Sequence, residues 1–247
     1  MSWWEPLLVA AASFAAAFLG SAVGLVLGSL RLPALLLASG SPAAAAGTNI
    51  AVSAAAALAG AVRHARAGRV DRRALAWMAP PSVAGAFLGG YFGHAVPERP
   101  LLAVIAALLV WNGLDLLFDL RAAPKTRRPR LSAVVSGALI GALGGAVGLI
   151  LGTLRMPALL RSVGLSPHAA AGTNLAVGFF LGAAGFAGHL ARLEVEWALL
   201  GVSLAAAIPG AWLGARATGR LSEQALRRAI GAALFAVSVA VAAAAAR

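Results

Sequence analysis

Two stretches of this chain are almost the same sequence. Residues 20–52 read GSAVGLVLGSLRLPALLLASGSPAAAAGTNIAV, and residues 144–177 read GGAVGLILGTLRMPALLRSVGLSPHAAAGTNLAV. From Gly20 to Gly40, against Gly144 to Gly164, 14 of 21 positions are identical; after a one-residue insertion at Leu165, 10 of 12 match from Ser41 to Val52. Self-similarity of this length means a duplicated structural unit, and in an apolar chain two such units mark a transporter built from repeats. Each copy runs from glycine-spaced apolar residues to Arg-x-Pro, a short apolar piece, and Gly-Thr-Asn inside another apolar run. This is neither a smooth helix nor a polar loop, and it is the candidate site.

Composition decides the medium. Hydrophobic residues make up 61% of the 247 and charged residues 11%, against roughly 45–50% and 25% in soluble domains. The chain is expected to be an integral membrane protein. Its net charge of +12 is then a topology signal. The arginines sit between apolar runs without the aromatic interleaving that stacks on bases, so nucleic acid is not an expected partner. With no cysteine, disulfides, thiolate metal sites and a Cys nucleophile are excluded. The amino terminus lacks a positively charged leader, and Trp3 and Trp4 suit interfacial anchors of a retained first span.

A crossing needs about 20 apolar residues. In the first half Pro6 to Gly28, Ala43 to Val62, Ala74 to Gly93 and Leu101 to Leu120 supply them. In the second half Leu131 to Gly152, His168 to Leu190, Trp197 to Arg216 and Leu226 to Ala246 do the same. Residues 31–40, and the piece that begins near Met156, are too short to cross alone. Pro33 and Pro157 suit the first turn of a new helix, so helix breaks are expected at Gly28 to Pro33 and at Gly152 to Pro157. The expected fold is all-α, with about eight transmembrane helices plus two half-helices. It divides into a first repeat (1–120), a basic cytoplasmic linker (121–130) and a second repeat (131–247). Two spans separate the basic loops at 63–73 and 121–130, which places both, and the amino terminus, in the cytoplasm. Residues 216–228 then fall outside despite their arginines. Ten short segments in two inverted halves would suit the charges better and the lengths worse; eight is the expectation.

Gly20, Gly24 and Gly28, like Gly144, Gly148 and Gly152, are spaced by four, as in close helix packing. Arg31 and Arg155 are the sharper signal. A charged side chain at mid-bilayer costs about 2.5–3.5 kcal/mol or more, so each arginine either snorkels to an interface or binds an anion. Two guanidinium forks facing across a repeat axis would grip an oxyanion bidentately, and half-helix amino termini favour the same charge. Thr48, Asn49, Thr173 and Asn174 offer hydroxyl and amide donors, either to a ligand or between helices. Ser29 and Thr153, two residues before each arginine, share that ambiguity.

Carboxylates are scarce where they would matter. Asp71, Glu98, Glu194, Glu196 and Glu223 fall in loops, and Asp115 and Asp119 lie near the end of a span. A proton relay or buried cation site is therefore not expected. His64 and His94 read as loop residues, and no histidine has metal-ligand spacing with Asp, Glu or Cys. Neither a metal, a cofactor nor a nucleophile–base arrangement is expected, and the chain is read as no enzyme.

The paired pattern of glycine-rich span, x-Pro-x-Leu-Leu and Ala-Gly-Thr resembles the sulfite exporter TauE/SafE family, also called toluene-sulfonate uptake permeases. Gly24 to Leu36 with Ala46-Gly47-Thr48, and Gly148 to Leu160 with Ala171-Gly172-Thr173, carry the resemblance. It implies a multi-pass permease of the bacterial plasma membrane for sulfite, organosulfonates or similar small anions. The family's glycine cluster is often denser, and Arg before x-Pro in both halves is not expected of every member. The expected function is alternating-access transport of a small oxyanion, with Arg31 and Arg155 as charge partners. An anion-selective channel and a structural subunit of a membrane complex are the alternatives. The partners are the anion, the lipid bilayer and, as a candidate, a second copy of the chain.

Overall fold

A computed structural model describes residues 4–39, 41–92, 129–147, 152–191 and 193–245, with a few helical positions between 107 and 118. The expected fourth span, with Asp115 and Asp119, lies almost wholly outside the described residues, as do His94, Gly148 and linker residues 121–128. The described elements are all helical. They are α1 (Trp4–Val23), α2 (Gly28–Ala38), α3 (Pro42–Arg66), α4 (Arg72–Phe92), α5 (Pro129–Val147), α6 (Gly152–Pro157), α7 (Pro167–Ala191), α8 (Trp197–Thr218) and α9 (Glu223–Ala245). Among them α1, α3, α7 and α8 are each long and apolar enough to cross a membrane.

The first break lies four residues earlier than Arg-x-Pro suggested. Gly24 has φ +73°. Its N–H donates to Ser21 O, and that of Leu25 donates to Gly20 O at 2.7 Å. These paired bonds are the glycine stop that caps a helix end. Residues 25–27 are non-helical, and Gly28 then opens α2. Pro33 is inside α2 and Pro157 inside α6. The expected breaks at Gly28 to Pro33 and at Gly152 to Pro157 are thus corrected: both stretches are helical, and in the first half Gly24 supplies the left-handed residue a stop needs. Pro33 forfeits only one helical bond, to the Ser29 carbonyl. After Pro157 the chain winds on as a π-helix, Ala158–Val163. From Pro157 to Ser166 there are nine steps, against eight from Pro33 to Ser41. The wider π turn, which holds one residue more than an α turn, takes up the insertion.

Contacts fix the direction of each helix. Glycines let α1 lie against α8, Gly210 meeting Phe14 and Gly214 meeting Phe18, so the two run parallel. In the same way α4 lies parallel to α5, where Gly137 meets Met78 and Gly141 meets Ser82. Between these pairs α3 and α7 run antiparallel, Gly60 against Leu175 and Gly185 against Ile50. Small residues at each seam admit the backbone approach that holds helices together in lipid.

One end of the molecule therefore gathers the end of α1, the 63–73 loop and the end of α8. His64 Nε2 lies 3.3 Å from Ser21 O, Thr218 Oγ1 donates to Ala22 O at 2.8 Å, and the Arg69 guanidinium sits against Ala215 O and Gly219. Arg63 and Arg66 lie over the Trp212 ring, 5.9 and 5.3 Å from its centroid. Two expectations are corrected here: residues 216–228 begin at the same end as 63–73, not opposite, and α1 starts at the end away from both. Residues 24–38 are the reason. The 11 residues of α2 rise about 17 Å, and residues 24–27 add up to about 13 Å, so together they return the chain across the molecule. His64 is also corrected. It is buried in the last turn of α3 rather than in a loop.

Candidate functional site

Arg31 lies in the first turns of α2 and Asn49 two turns into α3, and the two helices lie against each other. Asn49 Oδ1 accepts from Arg31 Nε at 3.0 Å and from Nη2 at 2.8 Å, while Asn49 O and Ser53 Oγ accept from Nη2 at 3.0 and 2.8 Å. Gly28 makes room for this cluster, since a β-carbon there would overlap Ser53 Oγ and stand 3.2 Å from the Asn49 amide.

The second copy builds the same frame and leaves it unfinished. Asn174 Oδ1 accepts from Arg155 Nε at 3.1 Å, and its Nδ2 donates to Gly24 O at 2.7 Å and Gly152 O at 2.9 Å. One asparagine thereby ties the arginine to its own half-helix and to the break in the opposite half. Arg155 is fully buried, yet Nη1 and Nη2 find no hydrogen-bond partner among the described residues. Each bare buried donor costs about 1–3 kcal/mol, and more when charged. Neither arginine has an acidic partner among the described residues; Glu194 lies instead 2.7 Å from His189 Nδ1.

Both arginines lie at the seam of α3 and α7. Arg31 and Ser53 line a cavity of about 10 Å³ with Leu25 to Gly28, Ala57 and Leu175. Arg155 Nη2 reaches Gly178, which also meets Val26 and Ala57, two residues of that cavity's wall. Ser53 and Ala57 mark the levels of the two guanidinium heads on α3, four residues or about 6 Å apart.

The threonines sit elsewhere. Thr48 Oγ1 accepts from Glu196 N at 2.9 Å, and Thr173 Oγ1 accepts from Asp71 N at 2.9 Å. Each holds the connection of the opposite half, and the glycine before it makes way, since a β-carbon on Gly47 would overlap Glu194 O and one on Gly172 would overlap Arg69 O. Within Gly-Thr-Asn, then, the glycine and threonine seat a loop and the asparagine holds an arginine. Thr153 is buried two residues before Arg155, whereas Ser29 is exposed and stays out of the cluster. Ser53 and Gly178 escaped the sequence reading. The signal was one residue past the aligned repeats, where serine stands opposite glycine.

The two arginines at matching places of the repeat are thus both buried and both held by the asparagine of Gly-Thr-Asn. The sulfite exporter TauE/SafE family model matches residues 9–241. The chain belongs to this family. Among its relatives, a protein of Xylella fastidiosa (strain Temecula1), named "Probable membrane transporter protein", is 30% identical over 234 residues, 89% of each chain. Its namesake in strain 9a5c is 29% identical over the same lengths. "Probable membrane transporter protein YdhB" of Bacillus subtilis (strain 168) is 26% identical over 193 residues, 75% of this chain and 79% of its own. No solved structure matches. The TauE/SafE chain described here is thus a multi-pass membrane transporter.

Proposed function

We propose that this transporter carries a small sulfur oxyanion, of the sulfite or organosulfonate type, by alternating access between two inverted halves. The observation that carries the reading is Arg155: a wholly buried guanidinium with one nitrogen held and two bare. Such a group is stabilised by an anion that offers two oxygens to its fork. The directions of α1 to α4, α5, α7 and α8 suit two inverted halves, the first starting at the end away from residues 63–73, and with residues 101–120 as a fifth leg each half would have five. That arrangement gathers the basic segments 63–73 and 216–220 at one end, the cytoplasmic one by the positive-inside rule, and fits a plasma-membrane carrier with its site at the repeat interface.

A carrier is favoured over an open pore by the space at the site. The cavity of about 10 Å³ beside Arg31 holds roughly one water, so a ligand enters only when the helices part. The test is uptake by the purified protein in lipid vesicles, against a panel of sulfite, thiosulfate, sulfate and short organosulfonates. Saturable uptake of one of them, abolished by Arg31→Ala and by Arg155→Ala, is expected. Flux rising without saturation would favour the pore, and no flux with any member would sink the anion reading.

A further inference from the structure

We infer that Arg155, whose fork opens over Gly178, takes the ligand and Arg31 does not, an assignment that rests on the anion-carrier reading above. Carrying the repeat one residue past Val52 and Val177 pairs Ser53 with Gly178. In the first half, Ser53 Oγ, Asn49 O and Asn49 Oδ1 stand 2.8, 3.0 and 2.8 Å from Arg31 Nη2. Three acceptors share that nitrogen's two hydrogens, and none is left for a ligand. In the second half no side chain stands in the place of Ser53: a β-carbon on Gly178 would lie 3.4 Å from Arg155 Nη2. Both Nη1 and Nη2 remain without partners among the described residues.

With Nε of each arginine held by an asparagine, a bidentate oxyanion must come end-on and take one hydrogen from each terminal nitrogen, and Arg155 alone of the pair can offer both. Its seat lies over Gly178, where the Val26 and Ala57 side chains supply an apolar wall, 3.0 and 3.9 Å from where that β-carbon would stand. The seat suits a compact oxyanion that turns two oxygens to the fork and a lone pair or small apolar group to that wall. Arg31 contributes charge rather than contact. Since Arg31, Asn49 and Ser53 all belong to one half, movement of the halves against each other does not release the Arg31 fork.

The experiment is equilibrium binding of radiolabelled sulfite to the purified full-length protein. Gly178→Ala and Gly178→Ser add nearly the same bulk, but only serine gives Arg155 an internal acceptor. Both variants place a β-carbon at the seat, and the serine variant is expected to bind about tenfold more weakly than the alanine variant. Arg155→Lys is expected to lose about tenfold or more, because an ammonium lacks the planar fork, and Arg31→Lys clearly less, because it keeps the charge. Equal losses in the two Gly178 variants would mean bulk alone and overturn the assignment. Equal losses in the two lysine variants would overturn it too, and they decide the matter if the Gly178 variants do not fold. Failure of the unaltered protein to bind any sulfur oxyanion of the panel would overturn the anion reading itself, and the role of Gly178 with it.

Discussion

At the scale of single residues, the two halves are told apart by a few atoms. Arg31 Nη2 meets Ser53 Oγ and both oxygens of Asn49, whereas Asn174 reaches only the Nε of Arg155. A second inequality lies at the ends of α3 and α7, which close with the same pair of hydrogen bonds. Arg69 N and Gly68 N reach back to His64 O and Ala65 O, as Glu194 N and Leu193 N reach back to His189 O and Leu190 O. The left-handed residue is Gly68 in one and Leu193 in the other, with φ +69° and +57°. Leucine pays roughly 1–2 kcal/mol for that conformation, and its side chain, 85% exposed, recovers little by packing. Leu193→Gly is expected to stabilise the protein by about 0.5–1 kcal/mol once the greater freedom of the unfolded glycine is subtracted. Thermal unfolding in detergent reads this as a rise of about 2 °C; a lower melting temperature would contradict it.

At the scale of elements, the Gly-Thr steps lock each central helix to the far half. Asp71 N and Glu196 N precede the first residues of α4 and α8 and find their acceptors in Thr173 and Thr48. Valine matches threonine in shape but accepts no hydrogen bond. Thr48→Val and Thr173→Val should therefore each strand a backbone amide, lowering stability by about 1–3 kcal/mol, measured by thermal unfolding of the purified variants. The two losses should be similar, since the two bonds are equal in length. If either variant matched the unaltered protein in stability, that threonine would not be holding its loop. These locks also explain why α4 pairs with α5 and α1 with α8 across the halves, rather than each half folding by itself.

For the whole molecule, the orientation of the legs is the open measurement. Reporter tags at 68 and 218 are expected on the same side of the membrane, the cytoplasmic one, and a tag at 193 on the other. Tags at 68 and 218 on opposite sides would restore the eight-crossing arrangement.

The sequence alone determined the medium, the helical class, the duplication and the arginine pair, because composition, repetition and the cost of a buried charge are local or additive properties. It also held Gly24 in plain view as one of a spaced series, and packing was the simpler reading of that series. Whether such a glycine packs a helix or ends it depends on its φ, and that is set when the following residues turn away. Direction belongs to the tertiary structure as well. Residues 24–38 are too short to read as a crossing by helix length, and only the contacts of Thr218 with Ala22 and of Thr48 with Glu196 show which ends meet. The division of labour inside Gly-Thr-Asn was equally beyond the sequence, since the partners of Thr48 and Thr173 lie 148 and 102 residues away. Distance along the chain hides a hydrogen bond that folding makes short.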